Sequence, residues 1–265
     1  MSRRHYLMCR PTYFDVSYAI NPWMDPTVSV DRDLALAQWE QLKTTYEDFG
    51  HRVDLIEPLP GQPDMVFAAN GALVVDGRVF GASFRNPERV DEAPAFRAWF
   101  EGAGHIAVRT PKNLNEGEGD FAVVGGTILA GTGFRTEHAA HLEAQEFFGR
   151  PVVSLTLVDP HFYHLDMALF VLDDSNVAYY PGAFSEGSQA VLRQLFPGAV
   201  IATQVDAHAF GLNSVSDGRH VVIEAGAVDL IAALRDRGYE PVPIDLSELR
   251  KSGGGPKCCT QEIRL

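Results

Sequence analysis

"DMVFAANGALVVDGRVFGASF", Asp64–Phe84, sets two apolar runs on either side of an Asp-Gly pair. Asp-Gly between apolar runs is a strong short-range signal for a β-hairpin, because a two-residue hairpin turn demands positive φ at its centre. The design returns along the chain. Asp120–Gly131, "DFAVVGGTILAG", and Leu165–Tyr180, "LDMALFVLDDSNVAYY", each place two short strands around a tight turn. Gly211–Ile223, "GLNSVSDGRHVVI", uses Asp-Gly again, and Gly255–Leu265 offers a last strand whose partner is His5–Cys9, "HYLMC".

The filler between hairpins is constant: an amphipathic helix, then a short strand. Helical spacing of apolar residues predicts helices over Leu34–Phe49, Ala93–Phe100, Glu137–Phe148, Gly187–Leu195 and Val228–Arg237. The strands that follow are "RVDLIEP", "HIAVRT", "PVVSLTL", "AVIATQV" and "EPVPIDL". Hairpins begin roughly 45–55 residues apart, a period that indicates a repeat architecture. Five hairpin–helix–strand units, with the C-terminal strand paired to the N-terminal one, would close a ring and remove exposed sheet edges. The expected fold is therefore α/β and ring-like, one catalytic domain over residues 1–265.

Composition bounds the function. The chain is 46% hydrophobic over 265 residues, enough for a large core. Its formal charge of −13 argues against nucleic acid and anionic membranes as partners and favours a small cation. No apolar run approaches the ~18 residues of a membrane span. Three cysteines, two of them adjacent, make no disulfide framework, and the N-terminus lacks the apolar stretch of a signal peptide, so a reducing cytoplasm is expected. Oligomeric state is left open, a homo-oligomer included.

Polar residues recur where each hairpin begins: Asn70, Glu116, Glu118 and Asp120, His164 and Asp166, Asn213, and Cys258. In a ring of inward-directed hairpins these points meet near the axis, and buried charges there need partners or a ligand. A thiolate is a strong nucleophile, imidazole moves protons near neutral pH, and several carboxylates grip a planar cation. That set suits attack on a guanidinium carbon, and suits an ester or peptide less, because carboxylates repel a developing oxyanion. His161 and His164 in "HFYH" would face opposite sides of a strand, so no metal or other cofactor is expected.

Four motifs in order resemble the guanidine-modifying superfamily of arginine deiminases, dimethylargininases, amidinotransferases and arginine dihydrolases. "GGGPKC" is similar to its glycine-rich lead into the nucleophile, "YHLD" to its His-Leu-Asp stretch, "EGEGD" to its Glu-Gly-Gly-Asp element, and "GFRT" to its Glu-Arg-Thr segment. The resemblance covers nearly the whole chain and implies a five-bladed α/β propeller, or pentein, with pseudo-fivefold symmetry. It implies Cys258 as nucleophile, with Cys259 facing away as the next residue of the strand, His164 as general acid and base, and Asp166 as a guanidinium ligand. Glu116 or Glu118 would be the acid partner, Glu116 matching the leading Glu better, and Asp120 would be a further acid. Arg135 would clamp a substrate carboxylate, with Arg85 a second candidate. Where dimethylargininases and deiminases carry an acid in the first hairpin, this chain has Asn70; with Asn21 of "INPW" it is closer to the arginine dihydrolase type. An amidinotransferase, or a non-catalytic binder of arginine-like ligands, is the alternative.

Overall fold

The structure is a computed structural model describing residues 3–265. Among the described residues, fifteen strands form five separate three-stranded sheets of one design. In the first, β1 (His5–Cys9) is central, parallel to β2 (Arg52–Ile56) and antiparallel to the last strand of the chain, β15 (Gln261–Glu262). Tyr6 stands opposite Glu262 and Leu7 opposite Gln261, so the two ends of the chain share a sheet. The other sheets follow in sequence: β3 (Ala72–Val75), β4 (Arg78–Gly81) and β5 (Val108–Arg109); β6 (Phe121–Val124), β7 (Thr127–Thr132) and β8 (Val152–Thr156); β9 (Leu169–Val171), β10 (Val177–Tyr179) and β11 (Val200–Ile201); β12 (Val215–Ser216), β13 (His220–Glu224) and β14 (Glu240–Ile244). In each, a hairpin supplies the antiparallel pair and a helix carries the chain to a parallel third strand.

The local chemistry explains the repeat. Asp76 and Gly77 both take positive φ, 52° and 71°, which matches the right-handed twist of the strands they join. The crossover helices are α1 (Arg32–Asp48), α2 (Glu92–Gly102), α3 (His138–Phe148), α4 (Glu186–Leu195) and α6 (Val228–Asp236). Asp31 caps α1 by accepting from Leu34 N–H, and Ser185 caps α4 by accepting from Ser188 N–H. Each helix lays an apolar stripe on its sheet. Trp39, Leu42 and Tyr46 of α1 join the main core, and Phe96 and Phe100 of α2 cover β3 and β4. No helix among the described residues is long and apolar enough to cross a membrane.

Two features differ from the expectations. Gln204–His208 form a short helix, α5, capped by the Thr203 hydroxyl on Asp206 N–H, where the sequence reads as the end of a strand. More consequentially, the polar residues of the hairpin starts do not lie in strands. Those of the next three units sit on or beside 3-10 turns just before the strands, Ala68–Gly71, Gly117–Gly119 and Leu165–Met167, while Asn213 and Cys258 lie in non-helical turns. Three residues per turn fan side chains in divergent directions, which sends neighbours such as Glu116 and Glu118 to different places.

Candidate active site

These 3-10 turns and the glycine-rich turn before β15 meet in the interior. Cys258 lies in that last turn rather than in a strand; its neighbour Cys259 donates its N–H to Gly255 O at 3.2 Å, and Thr260 does so to Lys257 O at 2.9 Å. Ala69 N–H on Cys258 O at 3.0 Å ties the nucleophile candidate to the turn that carries Asn70. The glycines are required sterically. Gly253 has φ +86°, and a Cβ on Gly254 would fall 2.2 Å from the Phe67 ring.

The structure gathers most of the expected residues. Glu116, His164, Cys258 and Asp166 are at most 4% exposed. His164 Nε2 lies 2.8 Å from Glu116 Oε2. Asp166 Oδ2 lies 3.3 Å from the Cys258 sulfur. Asn70 Nδ2 and His164 Nδ1 both border Gly119, where a Cβ would sit 2.3 Å and 3.2 Å from them. Asp120 Oδ1 accepts from Leu165 N–H at 3.0 Å, joining the second hairpin to the third.

Other expected residues are placed differently. Glu118 faces away from His164: its oxygens are taken by Lys257, Arg264 and the Glu262 N–H. Arg135 pairs with Glu116 at 2.9 Å, donates to Ile20 O and lies over the Tyr163 ring. Arg85 supplies its backbone N–H to Glu116, while its side chain binds Arg135 O. Asn21 belongs to the segment between β1 and α1, which crosses the cluster. It donates to Ser252 O at 3.0 Å, and Trp23 of the same segment donates to His161 O at 2.8 Å.

Sequence reasoning gave no role to several buried neighbours. Asn213 donates to the Cys258 sulfur, Tyr163 donates to Gly253 O, and Arg89 pairs with Glu92 and Asn70. Asn213 carried a signal, since it stands at the hairpin-start position of its unit. Arg89, in "NPER", carried none.

The electrostatics follow from burial and partners. Burial alone would raise the Glu116 carboxyl, but Arg135 and then His164 hold it well below the usual carboxylate range. Burial pushes Asp120 up to about 6 and also raises Asp166. The Cys258 thiol is raised well above its ordinary value by burial and then by the Asp166 charge. Three buried polar atoms of this cluster have no hydrogen-bond partner: His164 Nδ1, Asp120 Oδ2 and Asp166 Oδ1. Two are carboxylate oxygens that want donors, and the third is an imidazole nitrogen. A cavity of about 280 Å³ reaches Asp166 from the side of the hairpin turns, but Cys258, His164 and Glu116 do not line it.

Asp120 makes a testable contribution to stability. Its folded pKa lies above the unfolded one, so its contribution is complete below about pH 4 and is lost as pH rises through about 6. The loss amounts to about 3 kcal/mol for a carboxyl raised to about 6. Denaturant unfolding of Asp120→Asn against the parent should show the variant gaining by that order between pH 4 and pH 6. A constant difference across that window would show that Asp120 ionises freely.

No family model matches the chain. A dimethylarginine dimethylaminohydrolase of Mycobacterium tuberculosis is 53% identical over 260 residues, covering 98% of this chain and 86% of that one. The bifunctional arginine dihydrolase/ornithine cyclodeaminase AgrE of Nostoc is 37% identical over 99% of this chain, which spans 38% of that protein's length. Among solved structures, the N-terminal domain of an ArgZ variant covalently bound to a reaction intermediate superposes with a TM-score of 0.95 at 34% identity, covering 98% of this chain and 97% of that one. Identity of this level over nearly the full length places the chain in the dimethylargininase and arginine dihydrolase family of cysteine-dependent amidine hydrolases.

Proposed function

We propose that the protein hydrolyses a guanidinium C–N bond of arginine or a methylated arginine at the Cys258–His164–Glu116 cluster, releasing citrulline with ammonia or a methylamine. The observation that carries this reading is the trio of partnerless buried atoms on Asp120, Asp166 and His164. A planar cation rich in N–H donors satisfies the two carboxylates, and its charge offsets the acids that surround it. The five sheets are read as blades of one closed propeller domain, with β1–β15 pairing as its seam. Three buried free cysteines agree with a reducing cytoplasm as the working compartment.

The bound cation favours ionisation of Cys258, whose proton passes to His164. The thiolate attacks the central guanidinium carbon, forming the S–C bond. Imidazolium His164 protonates one nitrogen, that C–N bond breaks, and the amine departs from a cationic thiouronium. Neutral His164 then takes a proton from water, and the hydroxide adds to the same carbon. Collapse breaks the C–S bond and leaves the ureido product. One proton returns to the thiol, and the other leaves with the amine as its ammonium. Glu116 fixes the imidazole and stabilises its charged form.

Solved structures of relatives support the substrate class. A Cys-to-Ser variant of the ArgZ N-terminal domain is bound to substrate, and a Cys-to-Ala variant of AgrE is bound to L-arginine. Incubation with arginine, with asymmetric dimethylarginine, and with arginine plus glycine, followed by product masses, tests the proposal. Citrulline with matching ammonia or dimethylamine is expected; ornithine would show a second hydrolytic round. An amidinated glycine would move the protein to the transferases, and unchanged substrate in every arm would reject the reading.

A further inference from the structure

We infer that Asn213 is itself part of the catalytic apparatus: its one side-chain amide holds the turn that carries the nucleophile and donates a hydrogen bond that stabilises the Cys258 thiolate. The inference rests on the reading of Cys258 as nucleophile.

Asn213 lies between α5 and β12 and is wholly buried. Its Oδ1 accepts from the N–H groups of Gly255 and Cys258, each at 3.0 Å. Its Nδ2 lies 3.1 Å from the Cys258 sulfur and 3.2 Å from Asp166 O. The two backbone donors decide which way the amide faces. Turned over, its NH2 would confront two N–H groups, and its oxygen would confront the sulfur. Nδ2 therefore points at the sulfur of necessity.

An N–H donor to sulfur is worth more to a thiolate than to a thiol, so it favours ionisation selectively. The rest of the surroundings oppose it. Burial and the Asp166 carboxylate both raise the thiol, and Asp166 Oδ2 is an acceptor at 3.3 Å. A cationic substrate supplies compensating charge only while it is bound and intact. Asn213 acts in the free enzyme too, and again when the thiolate is the leaving group from the thiouronium.

A plain structural role, stapling the Gly255–Cys258 turn, predicts something different, and Asn213→Asp read beside the uncharged Asn213→Ala separates the two, because a rise shared by both variants cannot come from the added carboxylate. The carboxylate keeps an oxygen for both backbone donors and replaces the N–H facing sulfur by an acceptor. Removing one preorganised donor costs roughly 10²–10³-fold in rate, so kcat should fall by that order with KM changed only a few-fold. The pH midpoint for alkylation of Cys258 by iodoacetamide, read by peptide mass, should rise by about one unit or more. A kcat and an alkylation midpoint like the parent's would overturn the inference and leave Asn213 a staple. Should the Asp variant fold poorly, Asn213→Ala gives the same reading on its folded fraction: a raised midpoint supports thiolate stabilisation, an unchanged one rejects it. Cys258→Ser in parallel keeps the two assignments apart. If that variant still turns over substrate, the nucleophile assignment itself fails, whatever Asn213 does.

Discussion

Cys258→Ser should lower kcat by at least about 10³-fold while leaving substrate binding within a few-fold. The reason is local. The sulfur lies 3.3 Å from the Asp166 carboxylate in a fully buried site, where forming any anion is costly. A thiol meets that cost from a starting pKa near 8.5; a serine hydroxyl starts several units higher, so the same imidazole leaves it far less ionised. The carboxylates that hold the cation are untouched, so binding survives. The control is Cys259→Ser. Cys259 is also buried, and its thiol is raised by burial and then by the Glu224 charge. Its replacement should keep turnover near that of the parent. Mass spectrometry of the parent under turnover should find the substrate-derived amidino group on residue 258. A substantially active Cys258→Ser, or an inactive but folded Cys259→Ser, would move the nucleophile assignment away from residue 258.

The five-unit order was legible in the sequence because each hairpin needs its own turn chemistry, and Asp76–Gly77 and Asp217–Gly218 announce it. Crossover helices were legible through their apolar stripes. What stayed hidden was rotation. Glu116 and Glu118 stand two apart in "EGEGD" and look interchangeable as text. A 3-10 turn sends Glu116 to His164 and Glu118 to Lys257 and Arg264. Arg135 shows the same limit. Its motif announces an arginine at the site, but only the tertiary arrangement reveals that its charge is spent on Glu116 and on the Tyr163 ring. The Asn213 amide was visible as a misplaced polar residue, yet the sulfur it faces is 45 residues away in sequence. Contacts at that range are set by how the units assemble, which no local pattern encodes.

Glu116→Gln tests the partner of the imidazole and should lower kcat by about 10³–10⁴-fold. Both oxygens of Glu116 are committed. Oε2 takes His164 Nε2 and Arg135 Nη1; Oε1 takes Arg135 Nη1 and the Arg85 N–H. A glutamine has one oxygen, so its NH2 must face a former donor. Turned toward Oε1, it confronts a buried guanidinium and a backbone N–H, neither of which can give up its hydrogen. Turned toward Oε2, it confronts His164 and Arg135, and of these the imidazole can adapt by moving its proton to Nδ1. The variant therefore settles toward the tautomer in which Nδ1 carries hydrogen. Nδ1 is the nitrogen with no partner in the cluster, the one available to accept a proton from the thiol or from water. Blocking it stops both halves of the reaction, and losing the carboxylate removes the charge that stabilises imidazolium. Some stability is lost as well, because the buried Arg135 cation loses its counter-charge. Ring-nitrogen NMR of His164 in the folded variant separates the tautomer change from that loss. Hydrogen found on Nδ1 together with collapsed kcat supports it; hydrogen retained on Nε2 with near-parental kcat removes Glu116 from the mechanism.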